Sequence, residues 1–326
     1  MTRDHPTRRA LLRSAAAAAP AALAAPASAQ PRWPERPIEL IVPWTAGGGT
    51  DVMARTYARF LERRVGGTVV VQNRPGAGSE VGLASVARAR PDGHTLAAVT
   101  MPAMVTIPIE RNAQYRQEDL APVALIATDP SAMTVHAASR YRSVQDVVEA
   151  ARREPGRLTF GSGGVGSDDH LQLVLFQAAA GVELTHVSFG GTPQVRTALL
   201  GRQLDIAGLN VGEIAAAPQD TRMLVHSGAR RSRWAQDVPT YRELGLEVDM
   251  SSERGIAAPA ATPPAVLARL REASAEVARD PDFVAAMEGQ FTEMRVLIGE
   301  EWGEELRARR ATYQALWRRA PWAERP

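Results

Sequence analysis

Residues 38–51 read Ile38-Glu39-Leu40-Ile41-Val42-Pro43-Trp44-Thr45-Ala46-Gly47-Gly48-Gly49-Thr50-Asp51, and their reading decides the fold. The first five are mostly β-branched or apolar and predict a buried strand. Pro43 cannot donate to the next rung of a ladder and ends it; three glycines then let the backbone turn back closely without Cβ clashes. Thr50 or Asp51 is placed to accept from the first free amides of a helix, and Val52, Met53, Thr56, Phe60 and Leu61 recur at helical spacing on the way to Arg64. Strand, glycine loop and helix in that order leave unpaired N–H groups beyond the strand's carboxyl end. There the positive end of a helix dipole lets open α/β sheets hold anionic ligands.

The alternation continues along the chain. A strand over 68–72 leads to Asn73-Arg74-Pro75-Gly76-Ala77-Gly78. Ser79 caps a helix over 80–89, and a strand over 95–99 opens into Thr100-Met101-Pro102-Ala103-Met104. An apolar strand over 120–128 is interrupted by Asp129-Pro130, after which a second α/β set begins with a strand over 133–136. Ser143 with Asp146 three residues on opens a helix to Arg153 as a capping box. After a strand over 157–160, Gly161-Ser162-Gly163-Gly164-Val165-Gly166-Ser167 and a helix over 168–180 repeat the opening motif. A strand over 184–189 runs into Gly190-Gly191-Thr192-Pro193, where threonine caps a helix to Leu200 with proline first. Strands over 204–208 and 223–226 complete this set. The chain is extended again over 248–258, with Ser251-Ser252-Glu253-Arg254 as its polar centre. Thr262-Pro263 and Asp280-Pro281 each open a helix. The last helix, over 299–319, puts Trp302, Leu306, Tyr313, Leu316 and Trp317 on one face, as expected of a helix packed on a domain.

This layout predicts an α/β clam-shell of the periplasmic-binding-protein kind, type II-like. Residues 30–128 form the first part of lobe 1 and residues 129–248 lobe 2. Residues 249–326 make the second crossing and return to lobe 1 with the C-terminal helices, the crossings over 120–128 and 248–258 forming the hinge.

Residues 1–29 are set aside as an export signal. Thr7-Arg8-Arg9-Ala10-Leu11-Leu12-Arg13, an Ala-rich run and the small-x-small site Ala27-Ser28-Ala29 read as a twin-arginine signal cleaved near Ala29. An ordinary secretory signal with chance arginines is the alternative, and both place the mature protein in the periplasm. Arg13 and Pro20 interrupt the about 20 apolar residues that a membrane span needs. The formal charge of +2 includes four Arg and one Asp from this segment, so the mature chain carries −1 and its basic pI is no sign of nucleic-acid binding. Every basic residue is Arg. With no cysteine, thiolate catalysis and most structural zinc schemes drop out, and the six scattered histidines show no metal-ligand spacing. No metal and no cofactor is expected.

Gly161 to Gly166 matches the dinucleotide fingerprint Gly-x-Gly-x-x-Gly, but the acid that should end the following strand is missing: that strand ends at Ser188-Phe189, and Glu183 lies at its start. A Walker loop fails for want of lysine, and no serine sits in Gly-x-Ser-x-Gly. Anion capture without catalysis remains. Two glycine loops, each feeding a helix N-terminus, would face one another across a cleft, with hydroxyls of Thr45, Thr50, Ser162 and Ser167 as further donors. For either loop taken singly, a plain βα turn with a cap is the alternative.

Several runs together resemble the Bug family, the periplasmic solute-binding receptors of tripartite tricarboxylate transporters. They are the Pro-x-x-x-Gly-Gly-x-x-Asp pattern leading to Asp51; Val69-Val70-Val71-Gln72-Asn73-Arg74-Pro75-Gly76-Ala77-Gly78; Pro91-Asp92-Gly93-His94-Thr95-Leu96; residues 163–171; and Ala258-Pro259 with Thr262-Pro263-Pro264. The resemblance covers the mature chain in order. It implies a non-catalytic two-domain receptor, a small organic acid as ligand and permease subunits as partners. It places the ligand loops at Ala46, Gly47, Gly48, Gly49, Thr50 and Asp51, at Thr100 and Met101, at Ser162, Gly163, Gly164 and Ser167, and at Gly190 and Gly191, with Asn210 near the ligand. The chain departs from the family pattern in Met101-Pro102-Ala103-Met104, which points to a partly apolar ligand body. It departs again in Asp168-Asp169-His170, where Ser-Ser-His is common; these acids either put negative charge at the site or complement the helix dipole.

Arg254 lies in the second crossing. Adjacent strand residues face opposite ways, so Glu253 and Arg254 cannot both look into the cleft. An inward Arg254 would hold a ligand carboxylate in bidentate fashion; pairing with a structural acid is the alternative. A monomeric carboxylate receptor is expected, with a sensor subunit docking on a histidine kinase, or a dinucleotide enzyme, as competing readings.

Overall fold

The computed structural model describes residues 33–323, so the export signal and its cleavage site lie outside the described residues. Ile38, Leu40, Ile41 and Val42 are fully buried in β1 (Ile38–Val42). The next helix, α1 (Gly49–Val65), starts three residues earlier than its apolar spacing predicts. Extended Gly48 is the N-cap, so Thr50 and Asp51 lie inside the first turn and do not cap it. Asp51 instead ties the glycine loop down. Its Oδ2 accepts from Gly47 N at 2.9 Å and its Oδ1 from Asn73 Nδ2 at 2.9 Å, at the end of β2 (Val69–Asn73). The Gly-Gly-x-x-Asp loop and the Asn-Arg-Pro-Gly run are thus two halves of one hydrogen-bonded corner.

The chain continues with α2 (Glu80–Ala87), β3 (Thr95–Met101) and α3 (Ala103–Glu110). Ser79 holds the N-cap position of α2 without a hydroxyl bond to the helix. Thr100 and Met101 are the last residues of β3 and not the opening of a loop. The α3 helix goes beyond expectation because Pro102 and Pro108 read as breakers. Pro102 stands at its N-cap, where a missing N–H costs nothing, and Pro108 falls in its second half.

A 17-residue strand, β4 (Leu120–His136), follows. After it come α4 (Val144–Arg153), β5 (Thr159–Ser162), α5 (Asp168–Ala180), β6 (Thr185–Ser188), α6 (Thr192–Leu200), β7 (Ile206–Asn210), α7 (Val211–Ala216) and β8 (Thr221–His226). The chain closes with β9 (Ser251–Pro259), α8 (Pro264–Arg279), α9 (Pro281–Gly289), β10 (Glu293–Ile298) and α10 (Glu300–Arg319). The expected interruption at Asp129-Pro130 does not occur. β4 pairs with β9 from Leu120 to Pro130, and its partner from Ser131 onward is β7. Proline therefore sits where the ladder changes partner and its missing donor is least costly.

The strand order is β2-β1-β3-β9-β4-β7-β5-β6, with β8 and β10 also pairing with β4. The first set is parallel from β2 to β3, and β5, β6 and β7 are parallel to one another; the antiparallel strands β4 and β9 join the two sets. One lobe packs α1, α8 and α9 around Phe60, Phe283 and Met287, and α10 covers it with buried Trp302, Leu306 and Tyr313, as the one-faced pattern predicts. The other lobe packs Phe160, Phe176 and Tyr241 against α4 and α5. No described helix is long and apolar enough to cross a membrane.

Candidate functional site

The N-termini of α1, α5 and α6 converge with the ends of β3 and β7 on one cavity between the lobes. Thr45, Gly48, Gly49 and Thr50 line it from the first loop; Gly163, Ser167 and Asp168 from the second; Gly191 from the third; and Thr100, Asn210 and Arg254 from the strands. The cavity encloses about 40 Å3, room for about three waters.

The other residues expected here are not part of the cavity's lining. Met101 is in the apolar core. Gly47 and Asp51 are bonded to each other, and the Ser162 hydroxyl pairs with His186 Nε2 at 2.7 Å and with Gly164. Ala46 is exposed between the lining residues Thr45 and Gly48, and Gly190 faces Thr45 Cγ2. Five lining residues were not named as ligand contacts from the sequence: Trp44, Thr192, Pro193, Glu213 and Ser252. Asp169 lines the cavity too; its sequence reading left binding and helix capping open.

Several contacts cross between the lobes, three of them from the first part of lobe 1. Thr45 Oγ1 donates to Gln194 Oε1 at 3.1 Å, Thr106 Oγ1 to Gly166 O at 2.7 Å, and Gly49 N to Glu213 Oε1 at 2.8 Å. Two glycines at the cavity sit close to side chains: a Cβ on Gly49 would fall on the Arg254 guanidinium, and one on Gly191 on Thr45 Oγ1.

A family profile described as the tripartite tricarboxylate transporter family receptor matches residues 53–296. The chain belongs to that receptor family. A UPF0065 protein encoded in the tcbD-tcbE intergenic region of a Pseudomonas species is 34% identical over 78% of this chain and 77% of its own. The solved periplasmic binding protein BugD superposes with a TM-score of 0.83 at 25% identity, covering 90% of this chain and 100% of its own. An R. palustris protein solved with adipate superposes with a TM-score of 0.83 at 26% identity, covering 88% of this chain and 97% of its own. These relatives are solute-binding proteins and not enzymes, and the tripartite tricarboxylate transporter receptor described here is one of their kind.

What this receptor places in its cleft is strongly acidic. Arg254, 2% exposed, gives its Nη2 to Asp129 Oδ2 at 3.1 Å and to Asn210 Oδ1 at 3.2 Å. Glu253 points the other way, to Arg295 at 2.6 Å and Arg309 at 3.3 Å. Asp168 Oδ2 accepts from Ser131 Oγ and Asn210 Nδ2, each at 2.8 Å. Glu213 takes Gly49 N and Thr192 Oγ1 on one oxygen and Asn210 N on the other. Burial pushes the Asp129 carboxyl up to about 7 against the pull of Arg254. Burial likewise raises Asp168, and it lifts Asp169 well above the usual range, helped by the negative charges of Asp168 and Glu213. His170 in the first turn of α5 stacks on His186 at 3.8 Å; burial, and then the neighbouring His186, hold His170 well below the ordinary imidazole value, and burial drives His186 down to about 4.

Proposed function

We propose that the mature protein is an exported receptor that closes on one small organic carboxylate between its lobes and passes it to membrane permease subunits. The observation that carries this reading is the convergence of three helix N-termini on one interlobe cavity in a member of this receptor family. Their N-terminal N–H groups and dipoles favour an anionic group, a place that Glu213 takes at Gly49, and supply no nucleophile or acid–base pair for chemistry. The adipate-bound R. palustris structure supports a carboxylate as the ligand class, and the family description supports a transporter permease as partner. The proposed organisation keeps residues 1–29 as the export signal, with Arg8 and Arg9 marking the twin-arginine route to the periplasm. Residues 30–128 with 249–326 form one lobe and 129–248 the other, in a monomer. Arg254 is proposed to face the ligand while bound to Asp129.

Thermal-shift screening of the mature chain tests this. A ligand at a hundred times its Kd adds about 2.7 kcal/mol to apparent stability, a shift well above scatter. Small organic carboxylates should raise the melting temperature; a response to NAD(P) and to no organic acid would overturn the reading.

A further inference from the structure

We propose that the ligand of this cleft is an amino acid, a carboxylate that also carries an ammonium group, and that Asp169 is the acceptor that selects the ammonium. The inference rests on the receptor reading above and narrows its ligand class.

The first support is the count of charges at the site. Asp129, Asp168, Asp169 and Glu213 surround the cavity or its immediate wall, against two cations, Arg254 and, beside Glu213, Arg196. Arg254 is matched by Asp129 alone through its 3.1 Å ion pair. Asp168 and Glu213 are held by neutral donors, the hydroxyls, amide and backbone N–H groups already named. A ligand bringing only carboxylates would add negative charge beside Asp168 and Asp169, which form no ion pair among the described residues, in a setting where water screens poorly.

The second support is independent of the charge count. Asp169 is 1% exposed and lines the cavity, yet its Oδ1 has no hydrogen-bond partner, while its carboxylate already accepts from Gly163 N. A buried carboxylate oxygen without a donor is costly and is rarely kept unless something supplies the donor. A ligand N–H beside the cavity would do so. The ligand carboxylate then goes to the N-terminus of α1 in the opposite loop, sharing or taking the Gly49 amide that Glu213 holds, so that the two ends of one zwitterion meet opposite signs.

Matched ligand pairs that differ only by the amino group decide this: succinate and aspartate, glutarate and glutamate, adipate and 2-aminoadipate, titrated calorimetrically into the mature protein. The amino member of at least one pair should bind at least about tenfold tighter than its partner, the size of one charge-assisted hydrogen bond. Asp169→Asn should cut that preference about tenfold. If the desamino member binds as well or better in every pair, the inference fails and the carboxylate receptor stands. If no member of any pair binds, both fail. Should Asp169→Asn not fold, the ratio within each pair on the unaltered protein decides alone.

Discussion

Glu213 Oε1 accepts the backbone N–H of Gly49 at 2.8 Å, so a carboxylate from one lobe occupies the first amide of the helix that opens the other. An incoming ligand carboxylate must share or take that position. Glu213→Gln keeps the shape and removes one negative charge from the cleft. Its affinity for adipate should therefore rise about tenfold, ~1.4 kcal/mol by the usual conversion, in calorimetric titration. A drop in affinity would show instead that Glu213 holds the site in its binding shape.

The buried Asp129 titrates at about 7, against 3.8 for an ordinary aspartate. Between those values the native protein keeps a proton that the unfolded chain has released. The resulting stability is fully present below pH ~4 and is lost as the pH rises through about 7. Asp129→Asn cannot titrate and should lack this loss. Urea midpoints measured from pH 4.5 to 8.5 should converge or cross as the wild type weakens at the alkaline end; parallel curves would show that Asp129 ionises as usual.

A side chain at Gly191 would strike Thr45 Oγ1 across the cleft. Gly191→Ala should hold the lobes apart, weaken carboxylate affinity by roughly tenfold and leave the folding midpoint nearly unchanged, since the clash exists only in the closed form. Adding Thr45→Ala removes the struck hydroxyl and should restore most of the affinity. If the double variant binds no better than the single one, the clash is not what limits closure.

The parts legible in the sequence were those set by near neighbours. Ser143 and Asp146 read as a capping box and form one, with bonds of 3.2 Å and 3.0 Å between backbone and side chain. The α5 helix has the predicted bounds, because Ser167 caps it and Gly181 ends it in the left-handed conformation. The fold class was legible through the alternation of strand, glycine loop and helix, and the family through the resemblance of several runs along the chain. The Asp129-Pro130 break was misread because a local pattern shows the proline but not the exchange of ladder partners that accommodates it. Arg254 was picked out as a charge in an apolar strand, yet its partner Asp129 lies 125 positions away and gives no local sign. Glu213 was missed although Asn210-x-x-Glu213 has capping-box spacing; its second role, reaching Gly49 in the other lobe, exists only once the lobes meet.

β4 serves both lobes with one uninterrupted run of backbone, pairing with β9 and β10 on one side of Pro130 and with β7 and β8 on the other. The two halves are therefore not interchangeable modules. Cutting the gene at the lobe boundary would leave each fragment with a stump of the strand its sheet is built on, and a lobe borrowed from a relative would have to match register across the whole strand. Changes at the strand ends are less constrained: Asp168 and Asp169, opening α5 beyond β5, can be substituted without disturbing a rung of β4.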